Sequence, residues 1–294
     1  MELKHRVRDA GRLSDILKGE MKISSGLMNR LKWYDKILVN GVPQRTNFAV
    51  QQGDLVSVIL DEEPPEYPAE DVPVRILYED EHILAVDKEP GVLIHPSRHR
   101  DWGTLANAVT GYYQRTGQLS AFHPVTRLDR DTYGIVLIGK NSHVHALLNE
   151  YHSAGKLQKT YEAWAYGCPQ VLHGTVDAPI KRRPLPSLLR CIDPEGKPSQ
   201  TVYRVKQRLE SSCILELKPI TGRTHQLRLH CAHMGCPILG DPQYGTEVSG
   251  KLSAALGLTY QRLCAKRLEF VHPITGEELC LESEMQAYNN PPDA

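Results

Sequence analysis

The spacing of apolar residues divides the first 60 positions into two short helices followed by two strands. Apolar side chains within 13–17 and within 27–31 recur at i, i+3, i+4, which predicts one helix each, and Ser24 can cap the second. The runs ILVNGVPQ and GDLVSVIL then predict two strands, and the Asn-Gly pair in the first is typical of a tight hairpin turn. Residues 1–60 are therefore expected to form a small α+β unit.

From residue 72 onward, short apolar runs bounded by Gly, Pro or Asp predominate, which is typical of strands. The predicted strands are HILAVDKEPG, GIVLIGK, KTYEAWAYG, GTVDAPI, TVYRVKQRL and SCILELKPI. Helical spacing appears in TLANAVTGYYQ, SHVHALLNEYH and THQLRLHCAHM. Because strands outnumber helices and cluster along the chain, the pattern favours an α+β fold with a mixed, mostly antiparallel central sheet and flanking helices and loops.

The segment between these two parts, DEEPPEYPAED at 61–71, has the composition of a linker. It contains six acids and three prolines and has no Lys or Arg. Prolines interrupt regular structure and like charges repel each other, so an extended connection is expected. The predicted organisation is a unit at 1–60, an acidic linker at 61–71 and a main domain at 72–294.

The net charge of the 294 residues is zero, but the charges are segregated along the chain. Residues 61–71 hold six acids and residues 272–294 hold five, so the rest of the chain carries 24 of the 35 acids against all 35 bases, a net charge of +11. Residues 1–60 alone carry ten bases and six acids. A basic surface that meets phosphates would explain this segregation, although randomly placed surface charge is an alternative.

The cellular compartment is indicated by three further features. No apolar run approaches the ~18 residues of a membrane span, and the charged N-terminus has no apolar signal segment. Seven cysteines at irregular spacing, without a CxxC pair, fit a reducing compartment better than a disulfide framework. A cytoplasmic protein without a membrane partner is expected.

The stretch RLDRDTYGIVLIG places several charges directly before an apolar strand. Asp129 lies between Arg127 and Arg130, so its carboxylate is expected to stay ionised. Such a group could act as a nucleophile or stabilise positive charge that develops at a sugar carbon, and a salt-bridged loop is the structural alternative. A metal site at Asp129 and Asp131 is disfavoured, because the arginines would repel a cation and no Gly-rich calcium loop follows.

The segment GRTHQLRLHCAHMGCPILGDPQYG, residues 222–245, combines a helix start with cationic and polar side chains. Arg223, Gln226 and Arg228 follow a glycine, and Thr224 could cap the helix, so an anion could bind there. Its three histidines and two cysteines match no common zinc spacing, and packing or surface roles are favoured. The Gly-Asp-Pro sequence further on predicts a turn in which the Asp bonds its own backbone.

Two other segments could contact RNA. Alternation in KTYEAWAYG places Tyr161 on one strand face with two alanines, where the ring could pack in the core or stack on a nucleobase. The segment KRRPLPSLLR is predicted to be an exposed loop, because its prolines exclude a helix. Lys181, Arg182 and Arg183 in this loop could attract a phosphate backbone, or the loop could simply be solvated.

Four fragments together resemble the RluA/RluD-type pseudouridine synthases: RLDRDTYGIVLIGKN, KTYEAWAYG, GKPSQTVYRV and PITGRTHQLRLHCAHMGCPILGDPQYG. Their order and spacing match that family over roughly residues 72–280. The N-terminal unit is similar, more loosely, to the small RNA-binding domain shared with ribosomal small-subunit protein four. The resemblance implies the pseudouridine synthase fold and an enzyme that breaks the N1–C1′ bond of uridine and rejoins the base through C5. No cofactor is expected, since isomerisation is redox-neutral and neither a Walker nor a Rossmann glycine pattern is present.

The resemblance also implies roles for individual residues. The family's catalytic aspartate corresponds to Asp129, and Arg127 is implied to fill the gap that the flipped base leaves. Tyr161 is implied to contact the base and help move the C5 proton. Arg223 is implied to pair with the catalytic carboxylate, and Leu227 to form part of an apolar wall.

Substrate choice is less constrained by the sequence. Gln226, Arg228 and the basic loop are expected to add RNA contacts, whereas Tyr133, which stands where many relatives have Ser, is expected to reshape the pocket rim. Large-subunit ribosomal RNA is the favoured partner, transfer RNA is second, and a monomer is expected. One alternative is a non-catalytic RNA-binding or ribosome-assembly protein. Another is a glycoside hydrolase using Asp129 and Asp131, although acids two residues apart cannot face each other across a sugar.

Overall fold

The structure, a computed structural model, describes residues 1–61, 65–97, 101–184, 186–187 and 189–288. The elements of the N-terminal unit are β1 (Glu2–Arg6), β2 (Gly11–Arg12), α1 (Leu13–Gly19), α2 (Ser25–Trp33), β3 (Ile37–Val39), β4 (Val42–Pro43), β5 (Ala49–Val50) and β6 (Leu55–Ile59). Strands β1, β6, β3 and β4 form one sheet in that order, and β2 pairs with β5. Both predicted helices and both predicted strand segments are present. β1 was not predicted, because its sequence ELKHR is polar apart from Leu3.

Local sequence signals determine where several of these elements begin and end. The Ser24 hydroxyl accepts the N–H of Leu27 at 3.2 Å, which caps α2 as predicted. Asn40 and Gly41 have φ values of 50° and 80°, the left-handed conformation that a two-residue hairpin turn requires between β3 and β4. The two helices and the sheet enclose one apolar core.

The main domain is built around one ten-stranded sheet. In chain order its elements are β7 (Ile76–Glu79), β8 (Ile83–Lys88), α3 (Leu105–Arg115), β9 (His123–Pro124), β10 (Tyr133–Gly139), α4 (Ser142–Ser153), β11 (Gln158–Tyr166), β12 (His173–Asp177), β13 (Ile180–Arg182), β14 (Arg190–Ile192), β15 (Gln200–Arg208), β16 (Ser212–Pro219), α5 (Gln226–His233), α6 (Glu247–Ala255), β17 (Leu263–Val271) and β18 (Glu278–Glu282). The large sheet has the order β12-β15-β16-β11-β17-β10-β8-β7, with β18 beside β17 and β9 beside β10. Its pairs are antiparallel except for β10 with β17, so the predicted α+β class with a mixed, mostly antiparallel sheet is confirmed.

Seven elements of the main domain were not predicted: β7, β9, β13, β14, α6, β17 and β18. Of these, β17 lies near the centre of the large sheet. The sequence LCAKRLEFV interrupts its apolar run with Lys266, Arg267 and Glu269. Lys266 donates to the backbone oxygen of Ser283 at 2.5 Å, and Arg267 pairs with Glu269 at 3.1 Å. A tertiary contact of Lys266 and an ion pair of Arg267 within the same strand therefore accommodate charges that are unusual in a central strand.

The described part of the acidic linker, residues 65–71, is held against the main domain and does not extend freely. The Glu70 carboxylate accepts the N–H of Gly103 at 2.9 Å, and the Glu70 N–H donates to the oxygen of Asn107 at 3.1 Å. A Cβ on Gly111 of α3 would lie 1.9 Å from the Glu70 oxygen, so only glycine permits this approach. Residues 65–71 form neither a helix nor a strand, and these contacts anchor them to the main domain. The linker between the two parts stays a prediction.

The N-terminal unit also touches the main domain directly. The Met1 sulfur lies 3.2 Å from Nδ1 of His82 and 3.5 Å from Nδ2 of Asn141. Ile274 packs against the apolar cores of both parts. Among the described residues, no helix has the length and apolar character needed to cross a bilayer.

Candidate active site

Asp129 lies in the loop that leads into β10. A buried lysine donates hydrogen bonds to the backbone of this loop. Lys88, at the end of β8, is 1% exposed. Its Nζ donates to the backbone oxygens of Glu89, Val92 and Arg130 at 2.8–2.9 Å. Burial lowers the pKa of Lys88 to about 7. The charged loop before β10 is thus held in place by Lys88, whose sequence context gives no sign of this role.

A close strand crossing brings this loop towards the rest of the site. Gly134 of β10 has φ +103°, and a Cβ there would lie 2.4 Å from the backbone oxygen of Ala265 in β17. Only glycine therefore allows β10 and β17 to approach at their parallel pairing. Since β11 borders β17 on the other side, the crossing places the Asp129 loop near Tyr161.

The guanidinium of Arg228 contacts the Asp129 carboxylate. Its Nη1 lies 3.2 Å from Asp129 Oδ2, while Nε and Nη2 bind Asp241 at 2.7 and 2.8 Å and Nη2 also donates to Gln243 at 2.8 Å. The side chains of Arg228 and Asp241 are 5% and 1% exposed. Burial opposes the charge on Arg228, but the hydrogen bonds and charges of Asp241 and Asp129 outweigh it and raise its pKa.

The assignment of Arg223 as the partner of Asp129 was wrong. Arg223 is exposed, and its Nε donates to the backbone oxygen of Pro198 at 3.2 Å. It precedes α5, whereas Arg228 lies in the first turns of α5 and is oriented by Asp241. Asp241 also forms the predicted turn, because its Oδ1 accepts the N–H of Gln243 at 2.9 Å.

His225 is a further neighbour of Asp129. It is the N-terminal cap residue of α5 and has φ 58°, a left-handed conformation that is uncommon outside glycine, so the prediction that Thr224 caps this helix was wrong. Its Nδ1 lies 2.7 Å from the Tyr244 hydroxyl, and its Nε2 lies 3.8 Å from Asp129 Oδ2. Burial lowers the pKa of His225 despite the nearby Asp129 charge. The sequence held no signal for this contact beyond a histidine next to the helix start.

Tyr161 faces the same space from β11. It is buried with Leu227 and Leu263 in one apolar cluster, together with the two alanines of its strand face, which confirms the predicted alternation. The pairing of β11 with β17 shifts register between Thr160 and Tyr161, an irregularity of the kind that re-aims side chains at active sites. Burial, and then the charge of Asp129, raises the pKa of Tyr161, so its phenol is neutral.

Both the oxygen and the nitrogen of the Gln226 side-chain amide are hydrogen-bonded. Its Oε1 accepts from Thr221 Oγ1 at 2.8 Å and from the Arg223 N–H at 3.0 Å. Its Nε2 donates to the Gln200 oxygen at 2.9 Å and to Thr201 Oγ1 at 3.0 Å. These bonds join the start of α5 to β15, so Gln226 supports the loop that carries Arg223.

The side chains described above converge on one cavity of about 440 Å³. This volume lies within the ~300–1,000 Å³ typical of small-molecule sites. Asp129, Tyr161 and Arg228 line it together with the exposed Arg127 and Arg223. Its apolar wall comprises Leu93, Ile94, Val125, Leu128, Leu227 and Leu263.

The basic segment 181–190 was predicted to be an irregular loop, but its ends are the paired strands β13 and β14. Lys181 forms an ion pair with Glu195 at 2.5 Å, whereas Arg182 and Arg183 are exposed. The described lining of the cavity includes none of these three side chains. The hairpin packs on α5 beside the cavity, where its apolar side chains contact Leu229 and Tyr244.

The positions of Tyr133 and Asp131 bear on two other expectations. Tyr133 does not shape the pocket rim: it is 3% exposed, packs away from the cavity, and its hydroxyl donates to the Gln286 oxygen at 3.0 Å. Asp131 is turned to Arg130, whose Nε and Nη2 donate to its carboxylate at 2.9 and 2.8 Å. Asp129 lines the cavity beside Tyr161 and Asp131 does not, although both carboxylates line a smaller adjoining cavity of about 280 Å³.

Comparisons with known proteins agree with this architecture. The family model described as RNA pseudouridylate synthase matches residues 82–233. An RNA pseudouridine synthase of Bacillus subtilis, YjbO, described as uncharacterized, is 36% identical over 264 residues, covering 89% of this chain and 91% of its own. Ribosomal large subunit pseudouridine synthase D of Escherichia coli K12 is 34% identical over 253 residues, covering 83% of this chain and 77% of its own.

A solved structure shows the same fold at lower identity. Human RNA pseudouridylate synthase domain containing 1 superposes with a TM-score of 0.60 at 23% identity, over 74% of this chain and 86% of that one. The family model spans the Asp129 loop, the Tyr161 strand and most of α5. The chain belongs to the RNA pseudouridylate synthase family and is an enzyme that isomerises uridine in RNA.

Proposed function

We propose that this enzyme acts on large-subunit ribosomal RNA and that Asp129 is its catalytic group. The first point is supported by the relatives named as ribosomal large subunit pseudouridine synthase D, which include proteins of Escherichia coli and Xanthomonas campestris. The second point is carried by one observation: the Asp129 carboxylate, held by Arg228, lines a cavity of nucleotide size beside Tyr161. Transfer RNA is the second candidate substrate.

The reaction requires a base-paired target uridine to leave its helix, since a cavity of about 440 Å³ has room for a nucleotide but not for a duplex. Extruding a base costs a few kcal/mol, and a side chain that takes its place offsets part of this cost. Arg127 is exposed at the cavity and two residues from Asp129, which suits it to fill the gap. Tyr161 then contacts the uracil ring, and Asp129 acts at the ribose or at the base while the N1–C1′ bond breaks.

The N-terminal unit provides a second RNA contact in this proposal, and the protein acts as a monomer. Trp33 and Tyr34, at the end of α2, are 72% and 68% exposed. Lys32 lies 5.6 Å from the Trp33 ring centre, and Lys36 lies 6.0 Å from the Tyr34 ring centre. Exposed aromatic rings beside ammonium groups suit stacking on unpaired bases next to a phosphate backbone.

The substrate is tested by mapping pseudouridine across total RNA from cells with and without the protein. We expect at least one site in large-subunit ribosomal RNA to disappear in its absence and to return when the wild-type chain is supplied. Loss of a transfer RNA site alone would redirect the substrate assignment. A chain that restores every site after Asp129→Ala would show that the Asp129 carboxylate is dispensable.

The N-terminal surface is tested by the double variant Trp33→Ala, Tyr34→Ala. Stacking contributes about 1–3 kcal/mol per base, so we expect the Kd for large structured RNA to rise at least about tenfold. Conversion of a short oligonucleotide bound only at the cavity should remain close to wild type. Leu119→Ala, which truncates a similarly exposed apolar side chain of the main domain, is the matched control. Equal losses on both substrates would contradict a separate binding surface.

A further inference from the structure

Lys159 differs from the other cations that line the cavity. The described lining contains four Lys and Arg side chains: Arg127, Lys159, Arg223 and Arg228. Arg127 and Arg223 are exposed, and Arg228 is paired with the carboxylates of Asp129 and Asp241. Lys159 is half-buried, and no carboxylate among the described residues lies within ion-pair distance of it. Of these four cations in the described lining, Lys159 is therefore the one that is partly buried and has no acidic partner.

The described partner of Lys159 leaves its positive charge uncompensated. Lys159 Nζ lies 2.8 Å from Nε2 of His152, which also lines the cavity. An ammonium group can only donate, so Nε2 must be the acceptor and the imidazole must carry its proton on Nδ1. Burial, and then the charge of Lys159, lowers the pKa of His152, which agrees with a neutral ring. Burial also lowers the pKa of Lys159. With its amine protonated, the pair presents one net positive charge to the cavity.

The strand geometry places this charge beside the residue expected to contact the base. Lys159 and Tyr161 are two residues apart on β11, an interval that places side chains on the same face of a strand, although the pairing of β11 with β17 shifts register between them. Both line the cavity. The exposed arginines can bind RNA phosphates at the cavity entrance. The half-buried ammonium of Lys159, next to Tyr161, can instead contact the part of the nucleotide that enters the cavity.

We propose that Lys159 is a further catalytic residue, whose ammonium stabilises the negative charge that uracil acquires during the isomerisation; this rests on the proposed function of the same site. When the N1–C1′ bond breaks, its electron pair stays with uracil and spreads over N1 and the two carbonyl oxygens. C5 then forms the bond to C1′, and the proton on C5 is lost while N1 gains one. Lys159 donates a hydrogen bond to a carbonyl oxygen throughout and keeps its own protons.

This role predicts an effect on rate more than on binding. Uracil is neutral before the bond breaks, so its interaction with an ammonium group strengthens as charge develops. A low-polarity site increases that gain, because fewer water molecules screen the two charges. A lysine bound to a phosphate would behave differently, since the phosphate is charged throughout the reaction.

The test compares Lys159→Met and Lys159→Arg with the wild type on a transcript that carries a mapped target site. Removing one preorganised donor of this kind costs about 10²–10³ in kcat, so we expect a single-turnover rate loss of about that size for Lys159→Met at saturating protein. Lys159→Arg should recover most of the rate. Lys156→Met is the matched control, because Lys156 is exposed and does not line the cavity. Thermal unfolding of each variant shows whether the fold is intact.

Two readouts separate this role from a structural or phosphate-binding one. A lost phosphate contact would raise the Kd for RNA and lower its salt dependence by about one ion, so a changed Kd with an unchanged rate at saturation would overturn the proposal. Replacing the target with 5-fluorouridine stabilises the departing anion through the fluorine, so consumption of that nucleoside should depend less on Lys159. Equal losses on both nucleosides would also overturn it. If the wild type converts no uridine, both the proposed function and the role of Lys159 are wrong. If the wild type converts uridine and Lys159→Met converts it equally well, only the role of Lys159 is wrong.

Discussion

Asp129→Asn is expected to abolish isomerisation while RNA binding persists. Losing a group that acts directly on the reacting nucleotide should lower the single-turnover rate by at least about 10⁴-fold. The fold should tolerate the change, because Arg228 keeps its two bonds to Asp241 and no buried charge is left unpaired. We expect the free energy of unfolding to change by less than about 1 kcal/mol. Nucleoside analysis of a transcript with a mapped site measures the rate, and filter binding measures the affinity.

Asp131→Asn is the matched control for this experiment. It removes a carboxylate two residues away that contacts Arg130 and does not line the cavity. We expect it to retain the activity within about tenfold, since an exposed arginine that loses one ion pair is re-solvated at little cost. Full turnover by Asp129→Asn, or an equal loss in Asp131→Asn, would contradict the role assigned to Asp129.

Arg228→Met is expected to lose both activity and stability. The substitution leaves the 1% exposed carboxylate of Asp241 without its cation and removes the donor to Asp129. Breaking a buried ion pair from one side costs about 3–5 kcal/mol, because the remaining charge is desolvated and unpaired. Chemical unfolding measures the stability, and a single-turnover assay below the unfolding temperature measures the activity.

Arg223→Met and a double variant separate the two effects of Arg228. Arg223 is exposed and makes one backbone bond, so its substitution should change the free energy of unfolding by less than about 1 kcal/mol. Combining Arg228→Met with Asp241→Asn removes the orphaned charge, so part of the stability should return while the activity stays low. A greater loss of stability in Arg223→Met than in Arg228→Met would contradict the ion-pair network described here.

The support of the Asp129 loop is distributed over segments far apart in sequence. Lys88 binds the loop backbone from β8, and Arg228 binds its carboxylate from α5. Tyr67, in the strap of residues 65–71, has its ring centre 5.7 Å from that of His95, which lines the cavity. The segment that leads from the N-terminal unit therefore packs against one wall of the site.

Several features of the fold and site follow from the sequence alone, because they depend on near neighbours. Alternation along β11 determines that Tyr161 shares a face with small residues, and it does. The side chain of Asp241 bonds the backbone two residues on, as its Gly-Asp-Pro context predicts. The α+β class follows in the same way from the number and order of short apolar runs.

Only the tertiary structure decided which distant groups meet. Arg228 and Asp129 are 99 residues apart, and no local pattern distinguishes Arg228 from Arg223 as the partner of that carboxylate. The sequence predicts an extended connection at 65–71, and the structure adds that Glu70 is hydrogen-bonded to Gly103 and to Asn107 of α3. Periodicity and turn propensity report the torsions of neighbouring residues, whereas ion pairs and strand neighbours depend on where separate segments pack.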